Sequence, residues 1–198
     1  LYEAAEVTAA LLDVDELLGR VVELIRATTE ADHGCAVLRD PETGDLRPKA
    51  RRSRPGEAGE LAVSRSVIDH VLGRREGVLV ADAGADDRFR GRASVVRHRL
   101  REVICVPLKG RHETVGVLFL SRAAPAGAPE GGPGRFREDH LRLAAAVAHQ
   151  AALAVEETRY YRAMLQGERL AAVGQAVSAL SHHIKNVMQG VRFGSDMV

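Results

Sequence analysis

The sequence predicts an α+β fold in which a central antiparallel sheet is flanked by helices and followed by a long C-terminal helix of coiled-coil type. Three observations carry this. Two pairs of short strand-like runs are each joined by a polar turn, the pattern of β-hairpins. Helical periodicity precedes the first pair and recurs between the two. After an Ala-, Pro- and Gly-rich interval at 123–134, apolar residues return at helical spacing almost to the last residue.

Leu1 to Leu12 reads as a linker helix, and Val14, Leu17, Leu18, Val21, Val22, Leu24 and Ile25 repeat the helical pattern, with Asp13 and Glu16 spaced as a capping pair between the two. Cys35–Arg39 and Leu46–Arg52 form the first predicted hairpin around the turn Asp40–Asp45. A helix is expected over 61–72, ended by Gly73, then a buried strand over Gly77–Ala81 and a loop over Asp82–Arg92. Val103–Leu108 and Val115–Leu120 make the second hairpin, expected at the sheet centre. The interval 123–134 has little apolar bulk to bury and is expected to be a mobile surface loop.

From Phe136 the apolar seam runs through Leu141, Ala145, Ala148, Ala152 and Val155. A second seam follows at Leu170, Val173, Val177, Leu180, Ile184, Val187 and Val191, in strict three-four alternation. Val155 and Leu170 are fifteen residues apart, one more than two heptads, so a turn near Gly167 is expected to absorb the phase mismatch and to relay strain. These readings divide the chain into a linker helix at 1–12, a globular domain at 13–158 and a helical segment at 159–198, cut from something longer.

Composition excludes several classes. With 45% apolar and 28% charged residues over 198 positions, and a formal charge of +1, nothing points to nucleic acid. No apolar run approaches the roughly 18 residues needed to cross a bilayer, so a cytoplasmic setting is expected. Cys35 and Cys105 stand far apart without partners at metal spacing, so neither a disulfide framework nor a metal site is expected. The basic run Arg47, Lys49, Arg51, Arg52 and Arg54 could attract an anion, but alternating charges on a sheet edge more often keep it soluble.

On the second seam, His182 falls at the outward position between Leu180 and Ile184, with His183 at the bundle edge. An exposed imidazole, with an ordinary pKa of about 6.5, is largely neutral at pH 7 and offers a lone pair to an electrophilic phosphorus. Lys185 and Asn186 lie one turn on and would add a cation and an amide. Spacing alone leaves open that this is merely a solvated helix face.

The run Glu168-Arg169-Leu170-Ala171-Ala172-Val173-Gly174-Gln175, followed by Leu180-Ser181-His182-His183-Ile184-Lys185-Asn186, resembles the phosphoacceptor helix of sensor histidine kinases. The resemblance implies His182 as phosphoacceptor, Asn186 at the family's plus-four position, and Lys185 and Gln189 as in one subgroup. Where most members have Glu at plus one, this chain has His183, which stands as a possible acid-base partner or as the acceptor itself. Upstream, Ser66 to Leu72, Val78 to Ala83, Val103 to Leu108 and Val115 to Leu120 follow one another as in GAF domains.

That resemblance implies a GAF/PAS-like antiparallel sheet of five or six strands and a small-molecule pocket under the loop bearing Asp82, Asp86, Asp87, Arg88 and Phe89. The cyclic-nucleotide signature is absent, since the sole Asn is Asn186. Together the resemblances imply the input region of a two-component kinase, homodimeric through its C-terminal helices. ATP and magnesium would be held by a domain of the parent, a response regulator would be the partner, and the fragment alone would show no autokinase activity. The alternative is a non-catalytic small-molecule-binding module or a GAF-type redox module.

Overall fold

The computed structural model describes residues 14–54, 63–83, 86–89, 100–123 and 136–195, the side chains of 100, 123, 182 and 186–195 excepted. The expected helix at 1–12, the Asp13 cap and the interval 124–135 lie outside the described residues. The chain falls into two units, Leu1–Thr158 and Arg159–Val198.

In the first unit, α1 (Val14–Thr28) carries Val14, Leu18, Val22 and Ile25 on one buried face, with Asp15 and Glu16 in its first turn. Acidic residues there complement the helix dipole. Strands β1 (His33–Arg39) and β2 (Leu46–Ser53) form the first hairpin, its turn held by the Asp40 carboxylate accepting from the backbone N–H groups of Glu42 and Thr43. Helix α2 (Arg65–Arg74) and strand β3 (Val78–Val80) follow, and β4 (Leu100–Lys109) pairs with β5 (Thr114–Ala123). The antiparallel order is β2-β1-β5-β4-β3, so the second hairpin holds the centre as the sequence predicts. Helix α3 spans Glu138–Ser195.

The sheet has a core on both faces, and period-two alternation assigns each side chain to one of them. Ile104, Val106, Leu108, Leu118 and Leu120 face α1 and the first part of α3, against Ala144, Ala148, Ala151, Ala152 and Val155. Val103, Cys105, Val117 and Phe119 face Val67, Ile68 and Val71 of α2. The ladders break at three places. In β4, Arg101 is extra between Leu100 and Glu102, opposite Ala123 and Arg122. In β5, Thr114 pairs with Lys109 and Gly116 with Leu108, leaving Val115 extra; in β2, Lys49 is extra between Pro48 and Ala50. At Gly116 a Cβ would overlap the carbonyl oxygen of Val37 and lie 2.9 Å from the Leu38 Cα, so the β1–β5 pairing requires glycine there. Pro107 is tolerated inside β4 because β3 reaches no further along it than Cys105, opposite Val78.

Three expectations are corrected. Gly73 does not end α2; the helix runs to Arg74 and stops at Arg75, which adopts the left-handed conformation at φ 57°. In the alanine seam it is Ala144, not Ala145, that is buried: the run Ala144-Ala145-Ala146 offers no contrast in side chain, and packing alone chooses the phase. No turn interrupts the C-terminal helix near Gly167, since one glycine costs a helix only about 1 kcal/mol and no proline accompanies it.

Candidate functional site

Beyond the edge of α2, the α2-facing side of β1 and β2 borders a cavity of about 450 Å³. This lies within the range of roughly 300–1,000 Å³ typical of small-ligand sites. Val37, Leu46, Val63 and Ile68 supply apolar lining, and the basic residues Arg47, Arg51 and Arg65 border it with one acidic residue, Asp45.

The β2 bulge explains how the arginines are sorted. With unbroken alternation Lys49 and Arg51 would share a face. The extra residue instead lets Lys49 reach Asp15 of α1 at 3.5 Å, while Arg51 pairs in register with Cys35 and turns to the cavity side. Among the described residues Arg51 makes no ion pair; its guanidinium interacts with the Cys35 thiol. Arg47 meets Asp40 at 3.7 Å and Arg65 meets Asp69 at 3.9 Å, both loose and exposed contacts.

None of Asp82, Asp86, Asp87, Arg88 and Phe89 lines this cavity. Phe89 is fully buried in the α2-side core, its ring edge-on to His70 with centroids 5.5 Å apart. Asp86 and Arg88 satisfy each other: the carboxylate accepts from the guanidinium at 2.7 Å and from the Arg88 backbone N–H at 2.9 Å. The Arg88 bond and its charge hold the Asp86 carboxyl below the usual range. Phe89 thus helps to seal the core, and the basic residues of this cavity belong to β2 and α2. The basic run in β2 was the available signal, but sequence cannot show a bulge.

The two thiols occupy one cross-strand row, Cys35 in β1 and Cys105 in β4, each opposite Phe119 in β5. Two strand spacings, about 9–10 Å, exceed the Cα separation of about 7 Å that a disulfide permits. Burial pushes the Cys35 thiol up to about 11 and the Cys105 thiol higher still. Both are therefore protonated core residues, which suits neither nucleophilic nor redox work.

Two polar clamps fix α3. Glu102 of β4 accepts the backbone N–H of Phe136 at 2.8 Å, and Arg122, opposite it in register, stacks on the Phe136 ring at 5.2 Å. Arg122 also donates to the carbonyls of Thr29 and Glu30 at the end of α1. Further along, the Glu156 carboxylate accepts backbone N–H groups from Arg111, His112 and Glu113 at the β4–β5 turn, at 2.7, 3.0 and 3.3 Å. Those bonds hold its carboxyl below the usual range. Gly110 permits the approach, since a Cβ there would lie 2.6 Å from the carboxylate. Nothing in the sequence distinguishes Glu156 from any exposed helical glutamate.

In the second unit, Leu170, Val173, Val177, Leu180 and Ile184 are all exposed, between 54% and 73%. His183 and Lys185 are exposed as well. The side chains of His182, Asn186, Val187, Gln189 and Val191 lie outside the described residues. Among the described residues no cluster of His, Cys, Asp and Glu could hold a metal, and no helix is long and apolar enough to cross a membrane.

A five-stranded antiparallel sheet with helices on both faces and a ligand-sized cavity defines a small-molecule-binding or signalling module. A GAF domain model matches residues 13–155, and the chain belongs to the GAF family. No curated protein matches it. The GAF domain/HD domain protein from Geobacter sulfurreducens is similar in fold, with TM-score 0.57 and 20% identity over 77% of this chain and 97% of that one. So is the GAF domain of an Acinetobacter phosphoenolpyruvate-protein phosphotransferase, at TM-score 0.57 and 18% identity over 75% and 86%. A type II free methionine-R-sulfoxide reductase from Thermoplasma acidophilum matches at TM-score 0.53 and 12% identity over 74% and 97%.

Proposed function

We propose that this chain is the input region of a two-component histidine kinase, in which the GAF unit senses a small molecule and α3 carries the phosphoacceptor His182. The supporting observation is the stripe Leu170, Val173, Val177, Leu180 and Ile184, left in water along one side of a helix. A helix of this kind is stabilised mainly by packing of its apolar face, so the stripe calls for a partner. Its three-four spacing is that of a coiled coil or four-helix bundle, and a second copy of the same helix supplies a matching seam. The motif from Glu168 to Asn186, which resembles the phosphoacceptor helix of sensor histidine kinases, supports reading that bundle as the dimerisation helices of a kinase.

In this reading the ring nitrogen of His182 attacks the γ-phosphorus of ATP and ADP leaves. The imidazole proton passes to a base, for which His183 stands in the place of the family's glutamate. A domain of the parent holds ATP and magnesium, and the phosphoryl group moves on to an aspartate of a response regulator. Rate in such transfers comes mainly from positioning and charge neutralisation. The same helix that packs on the sheet through Ala144, Ala148, Ala151 and Val155 bears the acceptor, so a ligand-induced change in the GAF core acts on that helix directly.

The test uses the full-length parent protein with γ-labelled ATP. Label that is stable to base and labile to acid is expected, lost in His182→Ala and formed more slowly in His183→Ala. Undiminished labelling of His182→Ala, or the absence of acid-labile label, overturns the assignment.

A further inference from the structure

We propose that the cavity between β2 and α2 binds a small amphipathic anion, a carboxylate or phosphate head joined to a compact apolar body. This deepens the sensory half of the proposed function and is independent of the phosphoacceptor assignment. The cavity has the volume of a ligand site, and its walls are chemically divided. Val37, Leu46, Val63 and Ile68 present hydrocarbon, against which an apolar body gains by leaving water. Arg51 of β2 and Arg65 of α2 border the same space from two different elements, with Arg47 also in the lining.

Arg51 is the group that selects charge. It makes no ion pair among the described residues, and its neighbour Cys35 is a thiol that burial keeps neutral. Its planar fork matches a carboxylate or phosphate through two parallel hydrogen bonds. Arg65 and Arg47 are held only by exposed contacts of 3.9 and 3.7 Å, which a ligand anion displaces at little cost. Asp45, the one carboxylate in the lining, disfavours a dianion close to its end of the cavity and leaves the head group to Arg51 and Arg65. A cationic or purely apolar ligand would leave the guanidinium groups uncompensated.

The 198-residue chain is titrated by amide NMR with octanoate, octyl phosphate and octyltrimethylammonium, each below its micellar concentration, and with inorganic phosphate. Saturable shifts at Val37, Leu46 and Ile68 are expected with both octyl anions, and the tighter of the two identifies the head group. Inorganic phosphate should bind at least tenfold more weakly than octyl phosphate. Arg51→Gln should weaken the octyl anions by about tenfold or more, as loss of a charge-assisted hydrogen bond implies. Arg65→Gln, on a different element, should weaken them less. Equal binding of the cation, an unchanged affinity in Arg51→Gln, or shifts confined to other residues overturns the proposal. The variants' own spectra report whether they fold, since both arginines are exposed. A kinase labelled on His182 but indifferent to these anions refutes this inference alone.

Discussion

Truncating Leu180 tests whether the stripe on α3 joins two copies. Leu180 is 59% exposed in the single chain, so that share of its burial energy remains to be gained on association. Complete burial of a leucine side chain is worth about 1.5–3 kcal/mol, which leaves about 1–2 kcal/mol per chain. A two-fold interface counts each residue twice, so Leu180→Ala is expected to cost about 2–4 kcal/mol per dimer. At 1.4 kcal/mol per decade, that is a dissociation constant weakened roughly 30-fold to several hundred-fold. Sedimentation equilibrium across a concentration series measures it directly. Gln175→Ala, an exposed position two residues from both Val173 and Val177, serves as the control and should leave the constant within about twofold. Far-UV circular dichroism should show helix lost as each protein dissociates, because the apolar stripe from Leu170 to Ile184 is then left exposed. A wild-type chain that stays monomeric to its solubility limit refutes the reasoning, as does a Leu180→Ala constant equal to the control.

Phe89→Ala should destabilise the fold by about 3–5 kcal/mol in urea unfolding, because the ring is fully buried; a loss under about 1 kcal/mol would show that the loop does not seal the core. For Glu156, the folded-state pKa lies below its ordinary value of 4.5, so its contribution is present above that value and fades as pH falls through the depressed one. Glu156→Gln should therefore lower the urea midpoint at neutral pH and converge with wild type in acid; a gap that stays constant with pH contradicts the clamp. Cys35 and Cys105 should resist alkylation at pH 8 until urea unfolds the chain, and rapid native-state modification would revive the redox alternative.

The fold was largely legible because both hairpins declare themselves: Val103 to Leu108 and Val115 to Leu120 are apolar runs too short for helices, with a polar turn between them. Helix boundaries and phases were less so. Gly73 resembles a stop signal, yet the left-handed terminus falls on Arg75, and three consecutive alanines conceal which one faces the sheet. The cavity was the least legible feature. Arg51 looks like any member of an alternating basic strand until the extra residue at Lys49 rotates it away from its neighbours. Arg65 arrives from a helix fourteen positions along, and no local pattern links the two. The loop residues Asp86, Arg88 and Phe89 were visible, but their mutual pairing and burial depend on what surrounds them.

Glu156 gives the GAF unit a built-in gauge of helix movement. Three consecutive amides at the tip of the central hairpin end on one carboxylate of α3, so the helix cannot twist or slide at that level while all three remain bonded. Their hydrogen-exchange rates, read together, would register any such shift without a probe being attached, and the hairpin tip becomes the natural place to watch a stimulus pass from sheet to helix.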